Sequence, residues 1–132
     1  MQINKLDIYI FDPILENRKV VAQLFPMSKF LIKFSSSLEE LLGDFKHKIP
    51  HIILINLDNK KINLAEALSA MSKILPRETY IVGLSEKPKS KKFLPLSDIG
   101  LQEIWDLPIT GLKVKPRINE IVDSTKPIKV NL

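Results

Sequence analysis

Apolar residues in this chain fall into two kinds of run. Residues 7–11, 30–34, 52–55 and 80–84 are short and nearly continuous stretches of aliphatic and aromatic side chains. Runs apolar on both faces, as residues 8–11 and 52–55 are, are the mark of parallel strands buried between two layers, and 52–55, four aliphatics in a row, is the clearest. Between them the spacing becomes helical. Residues 15–25 place Val20, Val21 and Leu24 on one side, with Pro26 closing the segment. Leu38, Leu41, Leu42 and Phe45 form one face of a second helix, and Leu64, Leu68, Met71 and Leu75 form the stripe of a third, which Pro76 ends.

Polar residues mark where these helices begin. Asp12-Pro13 ends the first strand and has the chemistry of a helix start, an N-cap acid followed by proline. Ser37 with Glu40, and Asn63 with Glu66, fit capping boxes. Gly43 weakens the second helix by up to ~1 kcal/mol relative to Ala. Residues 85–95 hold four lysines and two prolines and predict a loop, with a short helix over 96–101. A fifth strand is expected to begin at Ile104-Trp105 and to end at Asp106-Leu107-Pro108. A last helix ends near Asp123, and Pro116 leaves two possible starts: near Pro116 itself, or earlier with a break there.

The order is therefore βαβαβαβαβα, which predicts an α/β fold: a flavodoxin-like, doubly wound, five-stranded parallel sheet with helices on both faces. A chain of 132 residues suits one such domain, placed at 1–123, with 124–132 read as a tail or linker that an output module could follow. There is no cysteine, which excludes disulfides and thiolate chemistry, and two histidines, His47 and His51, are too few for a histidine zinc site without carboxylates. No h-region and no run long enough to span a bilayer is visible, so the expectation is a soluble, cytoplasmic protein without membrane contact.

Net charge is +5, and the dense group is Lys87, Lys89, Lys91 and Lys92. It reads first as a solvated loop. The alternative, a nucleic-acid-binding module using residues 87–92, lacks a recognition helix. No Gly-rich phosphate loop or catalytic Ser-His-Asp order is present, and nothing points to an enzyme.

In doubly wound folds sites lie at the carboxyl ends of the strands. Those ends hold Asp12, residues 56–59, Ser85 and Leu107. With 8–12 and 16–18, 50–57, 81–85 and 100–108, the chain resembles the receiver domain of two-component response regulators over nearly everything from Lys5 to Asp123. The spacings between Asp12, Asn56, Ser85 and Leu107 fall in that family's range. The resemblance implies a signalling role and a pocket where an aspartate takes a phosphoryl group. Acidic side chains hold Mg²⁺ there, and a lysine and a hydroxyl read the phosphoryl oxygens.

Against that pattern Asp12-Pro13 offers one acid where two are usual. Asn56 stands at the phosphoacceptor position, Leu107 at the lysine and Ile104 at the switch aromatic, whereas Ser85 and Pro108 match. An amide is a very poor nucleophile. The chain thus reads as an atypical, or pseudo-, receiver with a degenerate pocket of Asp12, Pro13, Asn56, Asp58, Ser85, Leu107 and Pro108. Mg²⁺ and other cofactors are not expected. It would act by phosphorylation-independent contact with a protein partner, with homodimerisation open. Ile104 and Trp105 mark an interaction face, though Trp105 reads also as core. Asp12 reads as a relic metal ligand or an N-cap, and Asn56 as a lock on the loops or a locally satisfied strand end. Asp58 is the alternative phosphoacceptor of a weakly phosphorylatable regulator.

Overall fold

The computed structural model describes residues 5–125. Five parallel strands, β1 (Leu6–Phe11), β2 (Phe30–Ser35), β3 (Ile52–Asn56), β4 (Tyr80–Ser85) and β5 (Leu101–Asp106), form one sheet in the order β2-β1-β3-β4-β5. Every residue of β1 and β3 is buried. The edge strands β2 and β5 are only partly covered, and their burial is interrupted by exposed positions. The sequence patterns differ accordingly: continuous apolar runs sit in the middle and mixed runs at the edges. The direction of winding reverses between β1 and β3, so a crevice opens beyond their carboxyl ends.

The two faces have separate cores. On one, α1 (Leu15–Leu24) and α4 (Gly111–Thr125) cover Ile8, Ile10, Leu54 and Trp105 with Val21, Phe25, Val114 and Ile118. On the other, α2 (Leu38–Phe45), α3 (Leu64–Ser72) and a 3₁₀ helix (Lys91–Ile99) cover Tyr9, Phe11, Ile53 and Ile55 with Leu41, Phe45, Leu68, Met71 and Phe93. The expected doubly wound architecture is the one found. No helix among the described residues is long and apolar enough to cross a membrane.

Several local expectations need correction. Asp12-Pro13 does not start α1. Ile14 is the N-cap and Leu15 the first helical residue, because the Asp12 carboxylate folds back onto the Ile14 amide in a turn before the helix. Val20 is exposed, while Val21 points inward. The Ser37 hydroxyl accepts the Glu40 amide at 3.1 Å, but the Glu40 carboxylate returns to Ser36, one residue short of a closed capping box. The helix expected over 96–101 is instead 3₁₀ over Lys91–Ile99 with Pro95 inside it. It stops at Gly100, whose φ of 109° suits a residue without a Cβ. That turn lets Leu101 pair with Ile81, so β5 begins there rather than at Ile104. Finally, α4 begins at Gly111, before Pro116, and its buried stripe of Val114, Ile118 and Ile121 holds the helix together across the missing amide. Ser124 and Thr125, read as tail, belong to α4; 126–132 lie outside the described residues.

Candidate functional site

The sheet brings four of the predicted residues together. Asp12 follows β1, Asn56 ends β3, Asp58 lies two residues beyond it, and Ser85 ends β4. Asp12, Asn56 and Ser85 are all buried. Asp12 sits at the centre. One carboxylate oxygen accepts the Ile14 amide at 2.8 Å and the Asn56 side-chain amide at 3.0 Å, and the other accepts the Asn17 side-chain amide at 3.0 Å. Arg18 donates to the Asp12 main-chain carbonyl instead of its carboxylate.

Asn56 continues the chain. Its carbonyl oxygen accepts the Asp58 amide at 2.7 Å, which curls the loop after β3 back on itself. Asp58 then reaches across to β4. One oxygen takes the Ser85 hydroxyl at 2.7 Å and the other the Glu86 amide at 2.8 Å, while the Ser85 oxygen accepts the Lys87 amide at 2.9 Å. A hydroxyl and a main-chain amide at the end of β4 thus already hold an anion, and that anion belongs to the protein.

Gly83 makes this loop course possible. A Cβ there would stand 2.5 Å from Leu57 Cδ1 and 2.8 Å from its Cγ, so Leu57 packs directly on the β4 backbone and fixes the residue before Asp58. Beyond the network Leu107 is half-buried and Pro108 exposed along the same cleft. The Leu107–Pro108 peptide is cis, and the Leu107 amide donates to the Ser85 carbonyl at 2.8 Å. Pro13 is exposed and takes no part.

A Mg²⁺ ion does not fit this donor set. Each oxygen of Asp12 and of Asp58 already accepts at least one hydrogen bond. Among the described residues no group of three His, Cys, Asp or Glu side chains is placed to hold a metal. His51 lies at the other end of the sheet, where its Nδ1 accepts the Asp7 amide at 3.0 Å.

The proposed interaction pair divides. Ile104 is half-buried against the core under the 3₁₀ helix. Trp105 is buried and its indole N–H donates to Glu103 at 2.7 Å, so it belongs to the core rather than to a contact surface. Glu103 itself had no signal in the sequence. It gathers donors from Tyr80, Trp105 and Arg117, linking β4, β5 and α4, and Arg117 also pairs with Glu120. Burial pushes the Glu103 carboxyl up, but hydrogen bonds from Arg117, Tyr80 and Trp105 together with the Arg117 charge outweigh it and hold the group below its usual value. Burial and the Glu103 hydrogen bond raise the Tyr80 phenol. Asn17 was likewise missed as a site residue; only its place in the first turns of the helix after Asp12 hinted at it.

Solved structures with the same fold include response regulators. One from Clostridium difficile superposes with a TM-score of 0.81 at 12% identity, covering 93% of this chain and 100% of its own. A response regulator from Thermotoga maritima gives 0.76 at 12% identity, with 91% and 99% covered. NtrX from Brucella abortus, solved in complex with ADP, gives 0.77 at 15% identity, and this chain, 93% covered, spans 27% of its length. No family model and no curated protein matches the sequence. The chain therefore has the receiver fold of response regulators, at identities that speak for the fold alone.

Proposed function

We propose that this chain is an atypical receiver: a cytoplasmic signalling module that works through contact with a protein partner and without phosphorylation. The observation that carries this reading is the anion already in place. The Asp58 carboxylate sits on the Ser85 hydroxyl and the Glu86 amide, at 2.7 and 2.8 Å. An incoming phosphoryl group would need those donors. Asn56, at the acceptor position, offers an amide already bonded to Asp12 and to the Asp58 main chain. Leu107 brings no charge. The module would then have one state, and signalling would depend on its abundance or on a partner that binds it differentially.

The test is incubation with acetyl phosphate and Mg²⁺ followed by intact-mass measurement, with amide NMR in beryllofluoride. Neither the native chain nor Asn56→Asp should gain a phosphate, and resonances of Ser85, Glu86 and Lys87 should stay in place. Uptake by the native chain that Asp58→Asn abolishes would replace this reading with a regulator phosphorylated on Asp58. Uptake by Asn56→Asp alone would show that the pocket lacks nothing but its acceptor.

A further inference from the structure

The Asp12–Ser85 network opens onto a cleft of about 870 Å³ between the loops that follow β3 and β4, which Asn17, Asn56 and Asp58 also line. We propose that the cleft binds an acidic peptide segment of a partner protein, with apolar side chains between its carboxylates. This inference rests on the reading of the chain as a partner-binding module.

The cleft holds more free donors than free acceptors. Asp58 has both oxygens engaged. The side-chain carbonyls of Asn59 and Asn63 accept the amides of Lys61 and Glu66, which leaves their NH₂ groups as donors. Lys60, Lys87 and Lys92 line the cleft, are exposed, and have no ion pair among the described residues. Against these three cations stands one exposed acid, Glu86. The ammonium groups therefore lack the carboxylates that pair lysines elsewhere, as Asp44 pairs Lys33. Between them the wall is aliphatic, with Ile62, Leu64 and Leu107 half-buried. Cations over an apolar wall fit carboxylates alternating with apolar side chains.

Other occupants match less well. Single-stranded nucleic acid binds on exposed ring faces, and Phe93, the aromatic residue of the lining, is 3% exposed. The chain's own segment 126–132 has two lysines and no acid, so its charge repels the cleft.

The experiment is fluorescence anisotropy of the full chain with a short fluorescein-labelled peptide of alternating Glu and Leu. The comparison probes are a Glu–Ser peptide, a Lys–Leu peptide and labelled oligo-dT. Glu–Leu should bind saturably, Glu–Ser more weakly, and Lys–Leu not at all. Lys60→Glu, Lys87→Glu and Lys92→Glu together should weaken Glu–Leu binding about tenfold or more. Lys29→Glu, Lys46→Glu and Lys73→Glu, with the same change of charge at the opposite end of the sheet, should leave it within about twofold. All six lysines are exposed, and the fold should survive both sets.

Equal losses in the two sets would overturn the cleft as the site. Oligo-dT binding tighter than Glu–Leu would overturn it in favour of nucleic acid, and a monomer–dimer equilibrium abolished by the cleft triple alone would point to a second copy. Phosphate uptake reads the signalling mode separately: it can fail with peptide binding intact, and peptide binding can fail with the phosphate test still negative.

Discussion

Two polar networks hold this fold, one at the strand ends and one at the sheet edge, and they solve the same problem differently. At the carboxyl ends of β1, β3 and β4, the carboxylates of Asp12 and Asp58 are ringed by main-chain amides, side-chain amides and a hydroxyl. At the β5 edge, the Glu103 carboxylate faces a guanidinium, with Tyr80 and Trp105 completing its shell. The first network is made of neutral donors, two main-chain amides and three short polar side chains; the second depends on a charge carried by a half-exposed, flexible side chain. Fixed neutral dipoles hold an anion only in one geometry. A pocket built that way is suited to a permanent state, whereas an ion pair responds to pH and salt.

Removing the hub of the first network tests this most severely. Asp12→Ala leaves the Ile14 amide and the Asn17 and Asn56 side chains without their acceptor, with Asn56 buried and Ile14 and Asn17 at the edge of the open cleft. Each buried donor so stranded costs on the order of 1–3 kcal/mol, and partial repair by water should bring the total loss to about 3 kcal/mol. Urea unfolding would measure it. A loss below about 1 kcal/mol would mean that the network is decorative.

Glu103→Gln comes next, at about 2 kcal/mol, since it exchanges a charge-assisted pair for neutral hydrogen bonds. Its distinguishing mark is pH. The folded Glu103 carboxyl lies below its ordinary value of 4.5. Its contribution is therefore fully present above that value and is lost as pH falls through the folded value. Across that acid window the variant should lose less stability than the native chain, so the gap between them narrows. A gap of constant size would assign the effect to shape rather than to charge.

The two networks also differ in how far the sequence foretells them. Strand ends in a doubly wound fold converge, so Asp12, Asn56 and Ser85 could be listed together from their positions alone. The way they bond could not. Asp12 reads equally as a helix cap until the turn to Ile14 is seen. Asp58 reads as a loop acid until Leu57, seated on Gly83, directs it toward β4. The Glu103 cluster had no signal. Glu103 and Arg117 sit on an edge strand and a helix, and their meeting depends on where β5 starts and where α4 begins. Those two boundaries are the ones that Gly100 and Pro116 obscure, because a left-handed glycine and a proline inside a helix both resemble breaks.

The smallest global effect is expected from Ser85→Ala, and it separates the two halves of the pocket. The hydroxyl donates to Asp58 and accepts the Lys87 amide, so its loss frees one carboxylate oxygen and one main-chain N–H, both next to solvent-exposed loop. Water can replace both partners, and the cost should be only about 1 kcal/mol. The informative readout is local. Amide hydrogen exchange should quicken at Lys87 and, as Asp58 loosens, at Glu86, while the amide of Ile14, held by Asp12, keeps its native rate. Faster exchange at Ile14 as well would mean that Asn56 couples Asp58 to Asp12 as one cooperative unit. Exchange unchanged at Glu86 would mean that Asp58 stays on the loop without the hydroxyl, with the backbone amide alone sufficient to hold it.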